Sequence, residues 1–172
     1  MESRVAWSSS NTAITVNPGH DEAHTNLGLL LEQKGDLVGA EASYRAAIAT
    51  NPRQSEGYLN LGVALKQKGD LAEAEASFRT AIVAQPGRSS KAQFHLGVLL
   101  EQKGDLSGAE ASYRAAMALE PGLHEAPFNL GLMLEQRGDL VGAEASYRAA
   151  ITANPGFQEA QAHLGLVLEK AR

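Results

Sequence analysis

The chain has no cysteine, so disulfide frameworks, thiolate catalysis and cysteine-ligated zinc are excluded together. Aromatic residues are few, 5% of 172 positions, with a single tryptophan. Cations are in the minority: 15 Lys and Arg against 20 Asp and Glu give a formal charge of -5. That balance is poorly suited to sequence-independent binding of nucleic acid or to docking on anionic lipid, since both need cationic side chains against phosphate. No stretch approaches the ~20 continuous apolar residues that cross a bilayer. The start, Met1 to Ser8, has no apolar core of the kind a secretion signal carries. The expectation is a soluble protein, or a soluble piece of a larger one, intracellular by default.

What the chain has in quantity is alanine and leucine, 29 and 22 residues, both good helix formers. They are arranged periodically. Leu27-Gly28 recurs as Leu61-Gly62, Leu96-Gly97, Leu130-Gly131 and Leu164-Gly165. Gly-Asp-Leu recurs from Gly35, Gly69, Gly104 and Gly138, and proline from Pro18, Pro52, Pro86, Pro121 and Pro155. All three markers share a spacing of 34 residues, with one extra residue near Ser89. Full units therefore run 21-54, 55-88, 90-123 and 124-157, and the first and fourth agree at 25 of 34 positions. Residues 1-20 read as a partial unit holding a second helix alone, and residues 158-172 as one holding a first helix alone.

Each unit reads as two helices. Ala23, Leu27, Leu30 and Leu31 share one face of the first. Gly35 ends it in the left-handed conformation that glycine tolerates, and Asp36 is placed to cap the second helix. In the second unit Asp70 with Glu73 spells a capping box. The second helix turns Leu37, Ala40, Tyr44, Ala47 and Ile48 to one side, and Pro52 ends it. Gly28 and Ala40 allow the two helices to approach closely, with Tyr44 filling the space beside them.

This pattern resembles the tetratricopeptide repeat, with its W-x₂-L-G-x₂-Y, A-x₃-F and P signature over 34 residues. The unit at 55-88 carries Tyr58, Leu61, Gly62, Leu65, Ala74, Phe78, Ala81 and Pro86 at the corresponding places. The other units depart at the leading aromatic, which is His24, Gln93 or Pro127, and leucine replaces the second aromatic throughout. The resemblance implies an all-α solenoid of antiparallel helix pairs wound into a right-handed superhelix. It also implies a non-catalytic, cofactor-free scaffold that binds protein or peptide.

Several motifs with a chemical look have a structural reading. Arg137-Gly138-Asp139 spells an adhesion tripeptide, but the other units carry Lys-Gly-Asp in the same inter-helix turn. His20 and His24 are four apart, yet Asp21 stands where a zinc-protease helix needs glutamate. No glycine cluster has phosphate-loop spacing. An array of near-identical units spreads like groups along a line, whereas catalysis needs unlike groups at one place. No enzyme and no metal site is expected.

A second stripe of each first helix lies about 120° from the core stripe on a helical wheel. The resemblance places it on the concave, peptide-binding side. Position 6 of successive units gives Asn26, Asn60, His95, Asn129 and His163. Amides and imidazoles donate and accept, which suits reading an extended backbone. The row is similar to the asparagine ladder of the O-linked N-acetylglucosamine transferase superhelix, and asparagine there is also plain family consensus. Position 9 supplies Val63, Val98 and Leu132, and position 5 supplies Leu59, Phe94 and Phe128. These either floor an apolar binding groove or sit half-buried between helices.

Position 2 is glutamate except at Lys91, and position 12 glutamate except at Lys66, so the stripe is acidic. Solvated charge is one reading of the two rows; attraction of basic partner side chains is another. The lysine and asparagine by which tetratricopeptide co-chaperones hold a C-terminal carboxylate are missing from positions 5 and 9. The expected function is a scaffold holding an extended partner segment with apolar and basic side chains. Two alternatives stand beside it: head-to-tail self-assembly through Ile14, Leu164 and Leu168, or the substrate-recruiting fragment of a larger enzyme.

Overall fold

The computed structural model describes residues 20–171. Nine α-helices and no strand are found among them. They are α1 (Asp21–Gln33), α2 (Leu37–Thr50), α3 (Ser55–Lys68), α4 (Leu71–Ala84), α5 (Ser90–Gln102), α6 (Leu106–Leu119), α7 (Glu125–Gln136), α8 (Leu140–Ala153) and α9 (Gln158–Lys170). Consecutive helices joined by turns this short run antiparallel, which makes the architecture an all-α solenoid of helix hairpins. The described residues divide into two compact units on either side of a boundary between Ala92 and Gln93, in the first turn of α5. Ile14 lies outside the described residues.

The hairpin turn follows from two adjacent residues. Gly35, Gly69, Gly104 and Gly138 all have φ between 79° and 91°, where a Cβ is disfavoured. At Gly138 the Asp139 amide reaches back to Leu134 O at 2.9 Å and the Gly138 amide to Glu135 O at 3.0 Å. This closes the helix with a Schellman motif. The next residue opens the following helix: Asp139 Oδ1 accepts the Gly142 amide at 2.9 Å, as Asp36 does from Gly39 at 2.9 Å and Asp105 from Gly108 at 3.0 Å.

The expected capping box at Asp70 and Glu73 does not form. Asp70 makes no capping bond, and its carboxylate lies 3.1 Å from Lys68 Nζ instead. The third helical residue is what differs from the repeats whose cap forms. A Cβ on Gly39 would stand 2.5 Å from Asp36 Oδ2, so the glycine makes room for the capping carboxylate. Glu73 brings that Cβ, and the carboxylate turns away.

Each hairpin is locked by one ring on one glycine. Tyr44, Phe78, Tyr113 and Tyr147 are fully buried, as are Ala40, Ala74, Ala109 and Ala143 one turn earlier. A Cβ on Gly62 would lie 2.5 Å from Phe78 Cε1, and one on Gly131 2.6 Å from Tyr147 Cε1. The absent side chain is what lets the ring lie flat on the first helix. Burying such a ring stabilises the hairpin by roughly 1.5–3 kcal/mol before packing is counted. The extra residue near Ser89 is taken up by a 3-10 turn at Pro86–Arg88, and Ser89 Oγ ties back to Pro86 O at 2.8 Å.

Candidate functional site

The position-12 glutamates are partners of the buried rings. Tyr44 donates its hydroxyl to Glu32 Oε2 at 2.8 Å, Tyr113 to Glu101 Oε2 at 2.7 Å and Tyr147 to Glu135 Oε2 at 2.7 Å. Burial, and then the carboxylate acceptor, raise all three tyrosine pKa values well above the ordinary one. Where the ring is Phe78 there is no hydroxyl to satisfy, and position 12 of that repeat is Lys66. The exchange of Tyr with Glu for Phe with Lys was visible in the sequence, though reading one helix at a time hides it.

The next first helix completes the site. In the second unit His163 Nδ1 lies 3.3 Å from Glu135 Oε2, and Lys170 donates to Glu135 Oε1 at 2.7 Å. Led by Lys170, then Tyr147, these bonds bring the Glu135 pKa down to about 2. Asn129 acts against burial on Tyr113, drawing the raised pKa of its hydroxyl back down. In the first unit Gln67 donates to Glu32 Oε1 at 2.6 Å. Asn60 stands in the same register as Asn129, but its Nδ2 is buried without a hydrogen-bond partner among the described residues. Asn60, Asn129 and His163 each follow a repeat whose ring is tyrosine and whose position 12 is glutamate, whereas the repeat before His95 has Phe78 and Lys66. Asn26 is exposed, while Asn60, His95, Asn129 and His163 are half-buried.

Leu59, Phe94, Phe128, Val63, Val98 and Leu132 are all half-buried. Phe128 packs edge-on to Phe157 at 4.8 Å and to His163 at 5.7 Å between ring centroids, and tilted on Tyr147 at 5.9 Å. Phe94 lies 6.2 Å from Tyr113. The position-5 aromatics therefore spend part of their surface on neighbouring rings.

Two concavities open on the stripe. One of about 480 Å³ in the second unit has apolar walls of Val98, Leu106 and Leu132. Its polar groups are Glu101, Asn129 and the amides of Gln102 and Gln136, with Tyr113 behind. This cavity gathers three of the expected residues, Val98, Asn129 and Leu132. A smaller one of about 230 Å³ in the first unit takes in Asn26, Glu22, Glu56 and Gln54 beside the buried Thr25. Leu164 and Leu168 lie half-buried on α9, apart from both cavities.

The tripeptide at Arg137 is occupied in all its parts. The Arg137 guanidinium holds Glu110 of the preceding hairpin at 2.9 Å, Gly138 makes the turn and Asp139 caps α8. Lys68 pairs with Glu41 in the same way. His20 Nδ1 accepts the Ala23 amide at 3.4 Å at the start of α1. Among the described residues no three His, Asp or Glu side chains gather in a group fit for a metal, and no helix is long and apolar enough to cross a membrane.

The profile of the tetratricopeptide repeat family matches residues 11–55, 39–89, 59–124 and 96–157. No curated protein matches the chain. Among solved structures, PilF of Pseudomonas aeruginosa is similar at a TM-score of 0.87 and 18% identity, over 98% of this chain and 78% of that one. MamA is similar at 0.75 and 20%, over 87% of each chain. YrrB, a tetratricopeptide protein with an unusual peptide-binding site, is similar at 0.74 and 23%, over 94% of this chain and 83% of that one. At these identities the likeness speaks to the fold.

Proposed function

The chain belongs to the tetratricopeptide repeat family, and on that premise we propose that it is a non-catalytic scaffold that holds an extended segment of a partner protein against the first helices of its repeats. The observation that carries this reading is the cavity in the second unit. It presents apolar walls, Val98 and Leu132, next to the amides of Gln102, Asn129 and Gln136, groups that can both donate to and accept from a ligand backbone. Polar groups converging beside apolar wall residues can fix and orient a ligand, and an open helix face suits a segment without secondary structure of its own. The peptide-binding site of YrrB supports the same reading by analogy of fold.

The test is panning of random dodecamer peptides on the whole chain, followed by titration of the selected peptides into a Val98→Lys, Leu132→Lys variant. Both positions are half-buried, so the variant keeps its helicity while peptide affinity falls at least tenfold. Equal binding by the two proteins would remove the cavity from the reading.

A second reading has one observation in its favour. Gly165 on α9 occupies the register of Gly131, yet nothing lies within 4 Å of where its Cβ would be. The slot that holds a ring in the other hairpins is open there, flanked by Leu164 and Leu168. We infer weak head-to-tail association of copies through this face. Sedimentation velocity across a concentration series should show growth in mass that Leu164→Glu with Leu168→Glu abolishes. A constant monomer mass up to millimolar concentration would end this reading.

A further inference from the structure

Glu101 and Glu135 occupy the same register in successive repeats, and a tyrosine hydroxyl takes Oε2 of each at 2.7 Å. Their second oxygens differ. Glu135 Oε1 carries the Lys170 ammonium at 2.7 Å. The residue in the place of Lys170 beside Glu101 is Gln136, and among the described residues no hydrogen bond joins its amide to that carboxylate. Gln136 and Glu101 instead both line the cavity of the second unit, which has no cationic side chain in its wall. The chain therefore shows, one repeat later, a group that fits on this carboxylate: a primary ammonium.

We propose that the cavity in the second unit selects a lysine side chain of the partner segment, seated on Glu101 Oε1, and discriminates against arginine. The proposal rests on the peptide-holding reading above and names the residue the site recognises. Val98, Leu106 and Leu132 cover the methylene stem, which a lysine lays along apolar surface while its charge reaches the acceptor. The amides of Asn129 and Gln102 are placed in the same wall to meet the flanking backbone. The preference over arginine is one of degree: Oε2 would have to serve a guanidinium bond and the Tyr113 hydroxyl together, as Glu135 Oε2 serves His163 and Tyr147. A guanidinium binds a carboxylate best with two parallel bonds, one to each oxygen. Oε2 already accepts the hydroxyl of Tyr113, whose ring is fully buried and has nowhere to swing. A rotatable ammonium needs a single oxygen and loses nothing. Glu32 is the closed counterpart, since Gln67 fills its Oε1 at 2.6 Å.

The dodecamers selected on the whole chain supply the probes. They should share a lysine beside an apolar residue. In synthetic versions, replacing that lysine by alanine or acetyl-lysine should weaken binding about tenfold, the loss of one charge-assisted hydrogen bond. Arginine should fall between. Glu101→Gln keeps an acceptor for Tyr113, and should bind the lysine and alanine peptides alike, whereas Glu32→Gln should keep the full preference. Gln136→Lys gives a second route should Glu101→Gln fold poorly: it seats the chain's own ammonium on Glu101 and should erase the preference. Failure to select any peptide would overturn the scaffold reading itself. Selected peptides that are indifferent to lysine, prefer arginine, or keep their lysine preference in both Glu101→Gln and Gln136→Lys would overturn this assignment and leave the scaffold standing.

Discussion

In the repeat at 55–88 a phenylalanine ring lies over Gly62; in the repeat at 124–157 a tyrosine ring lies over Gly131. Both rings are fully buried. Around the first, the hydroxyl, its carboxylate acceptor and the capping glycine of the second helix are all replaced, by Phe78, Lys66 and Glu73. Around the second all three remain, and Lys170 and His163 join the carboxylate. The hairpin is the same in both. Ring-on-glycine packing is thus the part the fold requires, and the polar cluster is a separable layer laid over it, available for other uses.

The comparison breaks most visibly if a ring is removed. Phe78→Ala and Tyr147→Ala should cost about the same, roughly 3–5 kcal/mol each by denaturant unfolding, because both lose the same buried volume. A much larger loss at Tyr147 would mean that the polar cluster, and not the packing, holds its hairpin.

A smaller effect separates the polar layers by pH. Glu135 has its pKa held at about 2, below its ordinary 4.5, so its contribution is present above pH 4.5 and is lost as pH falls toward 2. Glu135→Gln should therefore lower stability by about 1–2 kcal/mol at pH 7, a figure reduced for the exposure of Lys170. The gap between variant and wild type should close between pH 4.5 and 2. The same replacement at Lys66, which brings no carboxyl, should open no gap of that shape.

The smallest difference lies at position 6. Asn60→Ala removes a buried amide with no partner and should be neutral or slightly stabilising, whereas Asn129→Ala removes the amide that acts on the Tyr113 hydroxyl and should cost up to about 1 kcal/mol. Thermal melts of the two single variants decide it. Equal effects would show that the different surroundings of the two asparagines carry no energy.

Most of the fold was legible because a 34-residue period repeats its own evidence: the turn glycines, capping aspartates and ring positions each occur several times over. The candidate site was less so. A helical wheel places Glu32, Glu101 and Glu135 on a solvated face, and nothing in their own helix shows that a tyrosine twelve residues on reaches back to them. Position 6 has the same difficulty, since its partners belong to the preceding repeat. The capping box at Asp70 failed for a different reason. The motif counts polar atoms, whereas the cap used in the other repeats depends on the missing Cβ of Gly39, Gly108 and Gly142.

The 3-10 turn at Pro86–Arg88 sets a reading frame for the chain. One residue added inside a helix turns every later side chain by 100° about its axis and would point the rings and glycines of that helix at the wrong neighbours. Placed in the connection instead, the odd residue leaves α5 starting in phase, with Gly97 still under Tyr113. Length changes at this joint are silent to the packing on either side, while the same change a few residues later would be a frameshift in three dimensions.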